Sequence, residues 1–149
     1  MTAPSDADAI AENAHGLERL RRLVARLDDA AMGRDLGGGW TVGAALAHLA
    51  FWDRISEQRW RSWVTSGDLV DFQGGTDFVN DAGIHQWRAL APSAVRKLVI
   101  DAATAVDGLI ADGGATRVAA VVAAGKPRWA HRHLHRGEHI QQIETAIGR

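Results

Sequence analysis

Four of the chain's seven histidines fall within one short run near its C-terminus, His131-Arg132-His133-Leu134-His135-Arg136-Gly137-Glu138-His139. His135 and His139 are four residues apart, so on a helix both rings leave the same face about one turn from each other. Imidazole is a preferred ligand for zinc, nickel, copper and ferrous iron, and two rings at this spacing can meet one ion. Two ligands are too few for a tight site, so a third must come from another helix. His48 lies one turn before Trp52 in the stripe Val42, Ala45, Leu49, Trp52 and Ile55. It therefore points with the apolar face of its helix and is the natural third donor. Three inward imidazoles would leave one coordination position open, as catalytic centres do and closed structural sites do not. An open position activates a bound water or thiol by lowering its pKa, and polarises a carbonyl. Spacing by itself leaves a second reading open. His131 and His135 are also four apart, and a run of His and Arg near a C-terminus equally suits a solvated basic face.

The elements that must position these rings are helical almost throughout. Ser5 is a candidate N-cap with Asp6 and Asp8 in the first turn, and Ile10, Ala14, Leu17, Leu20, Val24, Leu27 and Ala31 form one apolar face. Gly33 and the run Gly37-Gly38-Gly39 are expected to end that helix in a sharp interhelical turn. The second helix is expected from Thr41 to Ser66, followed by a loop from Gly67 to Thr76. A short helix covers Asp77 to Leu90, and Pro92 opens a third long helix that stops at Gly113-Gly114. Val118 to Ala124 is apolar without clear period and is read as helix. The last helix runs from Arg128 to Ile147, with Ile140, Ile143 and Ile147 on one face. No stretch reads as a convincing strand. The expectation is an all-α antiparallel four-helix bundle, a single domain over 1–149, with one longer crossover between helices two and three.

Composition removes several function classes. Seventeen Lys and Arg against eighteen Asp and Glu leave a net charge of -1, which fits neither a dedicated nucleic-acid binder nor a polybasic membrane-surface protein. The absence of cysteine excludes disulfides, thiolate metal sites, iron–sulfur clusters and a cysteine nucleophile. The N-terminus lacks the pattern of a signal peptide, and no apolar run reaches the roughly 18 residues of a spanning helix. A cytoplasmic protein is expected.

Gly39-Trp40-Thr41-Val42 followed by His48-Leu49, together with His135-x-x-Glu138-His139-x-x-Gln142-Ile143, resembles the DinB/YfiT-like superfamily. The resemblance extends from about the first helix to the C-terminus. It implies a four-helix bundle that holds a divalent metal, zinc or nickel foremost, through His48, His135 and His139. The superfamily includes mycothiol- and bacillithiol-dependent transferases, mycothiol-dependent maleylpyruvate isomerases and stress-associated proteins, many of them dimeric. By that resemblance the metal would activate a low-molecular-weight thiol, or water, for transfer to, or hydrolysis or isomerisation of, a small electrophile. The alternative from a different class is a non-catalytic, stress-related homodimer that binds a small ligand in the bundle pocket, motivated by six tryptophans.

The remaining residues are weighed against plainer roles. His131 falls outside the matched motif and is read as a surface residue or a residue at the mouth of the site. Glu138 is a candidate to orient a ligand or accept a proton, though a surface ion pair with Arg132 or Arg136 suits it better. Trp52 and Trp87 are expected in the core, either one able to line a pocket. Asp53 is turned away from His48 on an ideal helix and is a poor direct ligand. Arg59-Trp60-Arg61-Ser62-Trp63 reads as core with snorkelling arginines, or as a dimer surface, and not as a base-stacking platform.

Overall fold

The computed structural model describes residues 8–148, so the capping expected of Ser5 and Asp6 lies outside the described residues. Helix α1 (Asp8–Arg26) buries Leu17, Leu20, Leu23 and Val24. It stops short of the expected Ala31. Asp28 takes an extended conformation and its carboxylate accepts a 2.8 Å bond from Ala31 N–H, which starts a new helix, α2 (Asp29–Met32). A short acidic side chain gains more as an N-cap than inside a helix, and that preference overrides the apolar period.

The triple glycine makes a β-hairpin in place of the expected simple turn: β1 (Asp35–Gly37) pairs antiparallel with β2 (Trp40–Thr41). Gly37, Gly38 and Gly39 all have positive φ, 90°, 61° and 86°, a region in which glycine alone is unstrained. The hairpin delivers Thr41, whose hydroxyl accepts from Ala44 N–H at 3.1 Å and caps α3 (Val42–Ser66). The bounds of α3 are those expected, and Gly67 closes it at φ 79°.

After α4 (Thr76–Trp87), Pro92 occupies the first turn of α5 (Pro92–Ala123). The stop expected at Gly113-Gly114 is a kink and not an end: Gly114 leaves helical geometry (φ 69°, ψ -177°) and the chain resumes its helix through Val118 and Val121. The expected last helix is likewise divided. α6 (Pro127–Ala130) and α7 (Arg132–Ile147) meet at His131, which is non-helical at φ -89°, ψ 66°.

The long helices α1, α3, α5 and α7 pack in the pairs α3–α5, α1–α7, α1–α5 and α3–α7. Two apolar clusters fill the interior. One is built on Leu20, Leu46, Leu49, Val99, Ile140 and Ile143, and the other on Trp60, Val106, Ile110, Val118, Val121 and Trp129. Fully burying one such side chain is worth about 1.5–3 kcal/mol. Among the described residues no helix is long and apolar enough to cross a membrane.

Candidate metal centre

The chain places its polar chemistry between the two clusters. α3 carries His48 inward, 6% exposed, within a sequence of small residues, Ala44, Ala45, Ala47 and Ala50, that lets neighbouring helices approach. Trp40 and Trp87 stand edge-on to its ring at 5.3 and 5.4 Å, and Trp52 lies at 6.5 Å. α7 brings His135 and His139 to the same point. His48 Nε2 lies 3.1 Å from His135 Nε2, and His139 Nε2 also lies 3.1 Å from His135 Nε2.

The register of α7 is set from outside the site. At the break before it, Asn13 of α1 donates to Ala130 C=O at 2.7 Å, and its Oδ1 accepts from His133 N–H at 3.0 Å. This one buried amide satisfies a backbone group on each side of the break.

Beneath the triad runs a buried ion network. Asp53 accepts from Arg132 Nε at 2.9 Å and from Arg136 Nε and Nη2 at 3.4 Å each. Arg136 also donates to Asp107 at 2.8 and 2.6 Å. Asp53 and Arg136 have no exposed surface in their side chains. Two guanidiniums against two carboxylates balance, which makes burial of four charges tolerable. Burial pushes the Asp107 carboxyl up, the neighbouring Asp53 adding to the effect of desolvation while Arg136 opposes it. Arg136 is held protonated by Asp53 and Asp107 against the desolvation that would lower it. These arginines belong to the interior and not to the solvated face that a His and Arg run suggested.

The same burial keeps the imidazoles neutral. Desolvation, reinforced by His139 and Arg132 and only partly offset by Asn80, pulls His48 down to about 4. Desolvation and then Arg132 pull His135 down to about 2. Desolvation lowers His139 as well, with Gln142 and Glu138 opposing it. His139 Nδ1 faces Gln142 Oε1 at 3.2 Å, a contact that assigns its proton outward and its Nε2 lone pair inward. Arg132 Nη2, which can only donate, approaches His135 Nδ1 at 3.4 Å. His48 Nδ1 is buried without a well-formed hydrogen bond.

This donor set fits a cation. Two imidazole nitrogens on one tetrahedral ion with bonds of about 2.05 Å lie about 3.3 Å apart, close to the two 3.1 Å separations. The ligand atoms of all three histidines lie within 4.8 Å of one another. Neutral rings carry no positive charge to shed before they ligate near neutral pH, but a donor at His135 Nδ1 leaves that ring's own proton on Nε2. Ligation through Nε2 therefore moves the proton to Nδ1 and turns Arg132 away from it.

One side of the triad is open. A trough of 310 Å³ is lined by His48, Trp52, Ser56, Arg59, Thr76, Asn80, Arg128, Trp129, Arg132 and His135. Trp52 thus lines the pocket, held by a 2.9 Å bond from its Nε1 to Asn80 Oδ1. His131 does not stand at the mouth or on the surface. It is 3% exposed, off the end of α7, with its ring 5.4 Å from that of His133. The break in the helix takes it off the face shared by His135 and His139. Glu138 is exposed and pairs at 3.0 Å with Arg128, not with Arg132 or Arg136, because both of those point into the interior. Asp53 does not reach the triad and instead holds Arg132 and Arg136. Sequence reasoning missed the interior roles of Arg132, Arg136, Asp107 and Asn13, whose partners lie on distant segments; the four-residue spacing of Arg132 and Arg136 was the available signal.

Comparison with known proteins agrees with this architecture. The family model described as the mycothiol maleylpyruvate isomerase N-terminal domain matches residues 14–137. No curated protein matches the chain. Among solved structures, the fold is similar to that of a mutant of the mycothiol-dependent maleylpyruvate isomerase, with a TM-score of 0.65 and 16% identity. The alignment covers 99% of this chain and 64% of that one, so the chain spans under two-thirds of that protein's length. The match over most of the sequence and the shared all-α bundle, with its DinB-like relationship, place the chain: it belongs to the mycothiol maleylpyruvate isomerase N-terminal domain family.

Proposed function

We propose that this protein is a divalent-metal-dependent enzyme in which His48, His135 and His139 hold zinc or nickel, and that it uses a low-molecular-weight thiol against a small electrophile. The observation that carries this reading is the convergence of three neutral imidazoles, His135 Nε2 lying 3.1 Å from the Nε2 of both His48 and His139, beside an open trough. When bound, a divalent ion with an open position lowers the pKa of a coordinated thiol or water and polarises a carbonyl. The name of the solved relative makes mycothiol the first thiol to test, and transfer or isomerisation the first reaction classes.

The protein's own groups have separable parts in this scheme. Gln142 fixes the ring of His139, and Arg132 abuts the outer nitrogen of His135. An outer acceptor such as Gln142 orients its ligand and raises its basicity, whereas Arg132 can only donate and gives His135 no such support. Trp40, Trp52 and Trp87 wall the His48 side and keep water from that edge. The trough admits a small molecule to the remaining side.

Cobalt substitution tests the scheme. Addition of mycothiol to cobalt-loaded protein is expected to produce the visible absorption change of a new sulfur ligand. An unchanged spectrum at saturating thiol would refute thiol activation at this centre.

A further inference from the structure

The short helix α4 turns one side to α3. Thr76, Asn80, Ile84 and Trp87 are spaced 4, 4 and 3, so they share a face. Trp87 packs against the ring of His48 and Ile84 against the core, while Thr76 and Asn80 line the trough beside the triad. Away from that face, Phe78 is 80% exposed. Asn80 thus puts an amide where the inward stripe would otherwise carry an apolar side chain, and a half-buried amide needs partners at both of its ends.

Neighbouring rings take up one end. Trp52 Nε1, which can only donate, gives its hydrogen to Asn80 Oδ1 at 2.9 Å. That bond assigns the amide's orientation, with oxygen toward Trp52 and nitrogen away from it. His48 acts on the same oxygen. Among the groups that influence its ring, Asn80 is the one whose hydrogen bond opposes the lowering of its pKa, and an amide favours a protonated imidazole only by accepting from it. The oxygen therefore serves two rings, the contact to His48 being the looser.

The other end has no protein partner. Asn80 Nδ2 meets no acceptor among the described residues and is not sealed from solvent. His48 and Trp52 are one turn apart on α3, and an amide in contact with both holds its free N–H groups in the trough beside the triad.

We infer that Asn80 is a ligand-binding residue whose amide N–H donates to an uncharged carbonyl oxygen borne close to the sulfur of the thiol held at the triad. The inference deepens the proposed function and rests on it for the place of the sulfur. Through its oxygen the same residue steadies His48 and Trp52, so the test must separate donation to the ligand from support of the site.

The probes are 2-sulfanyl-N,N-dimethylacetamide and propane-1-thiol. Both are uncharged apart from the thiol, and the first carries a carbonyl oxygen without an N–H. Each is titrated into cobalt-loaded protein and followed by the visible absorption of the new sulfur ligand. Asn80→Asp keeps an acceptor for Trp52 and His48 and removes the donor. The ratio of amide-thiol to alkylthiol affinity is expected to fall roughly three- to tenfold in this variant, the worth of one neutral hydrogen bond. The added charge acts on the two thiolates alike and cancels in the ratio. Cobalt content and the thiol-free spectrum are expected to be unchanged, and a ratio that fell only together with an altered thiol-free spectrum would reduce Asn80 to a support of the site and overturn the inference. Asn80→Ala carries the same comparison if Asn80→Asp does not fold. An equal ratio in wild type and variant, with both thiols ligating, would overturn the role of Asn80 and leave the proposed function standing. Failure of both thiols to change the wild-type spectrum would overturn the two together.

Discussion

Replacing Asp53 by Asn keeps its shape and removes its charge, which isolates the role of the buried network. Asp53 is the only carboxylate within ion-pair distance of Arg132 among the described residues, at 2.9 Å, and it adds longer contacts to Arg136. In Asp53→Asn, Arg136 keeps two bonds to Asp107 while Arg132 retains the Arg128 carbonyl at 3.2 Å. One uncompensated positive charge would then remain inside the bundle. Breaking a buried pair from one side costs about 3–5 kcal/mol, and the surviving Asp107 bonds place the expected loss at the lower end, about 3 kcal/mol. For a chain of 149 residues an unfolding entropy of about 0.3 kcal/mol/K converts this to a fall in Tm of about 10 °C. Asp107→Asn is the internal control. Asp107 retains 12% side-chain exposure, and burial already disfavours its ionised form, so its replacement should cost roughly half as much or less. Thermal and urea unfolding followed by circular dichroism read both variants. A loss below about 1 kcal/mol in Asp53→Asn, or equal losses in the two, would refute the assignment of Asp53 as the keystone of the network.

Three further expectations follow from particular contacts. Asn13→Ala strands the Ala130 carbonyl and the His133 amide; at about 1–3 kcal/mol for each buried group left unpaired, urea unfolding should show a loss of several kcal/mol, and an unchanged midpoint would contradict the clamp. Thr41→Ala removes the cap of α3 and should cost about 1 kcal/mol in the same assay. In chelator-treated protein, stability should fall as pH drops from about 6.5 toward 4. His48 titrates near 6.5 when unfolded and about 4 when folded, so the unfolded chain binds more protons in that window, worth up to about 2 kcal/mol at pH 5 from this residue. Asp107, pushed up by burial, acts in the opposite sense. A urea midpoint constant between pH 7 and pH 5 would contradict the neutral burial of the triad.

What was legible in the sequence follows from how local each signal is. Thr41 and Gly67 bound α3 through contacts to residues within four positions, and the inward aim of His48 followed from a single helical stripe. The division of the last helix was not legible, because the break at His131 is stabilised by Asn13, more than a hundred residues away. For the same reason Arg132 and Arg136 looked like solvent-facing residues beside Glu138. Their partners, Asp53 and Asp107, sit on other helices, and no local period in α7 reveals them. Asp28 illustrates a local signal that was present but outweighed: an apolar period that continues to Ala31 hid an N-cap that restarts the helix.

The central claim is that three histidines from α3 and α7 make one metal site. Metal content per chain, measured by mass spectrometry on untagged protein never exposed to a nickel column, tests it most directly. The account predicts about one equivalent of zinc or nickel in the wild-type protein, and loss of that equivalent in both His135→Ala and His139→Ala. A wild-type protein that is metal-free and takes up no added zinc, or folded variants that hold metal as tightly as wild type, would contradict it.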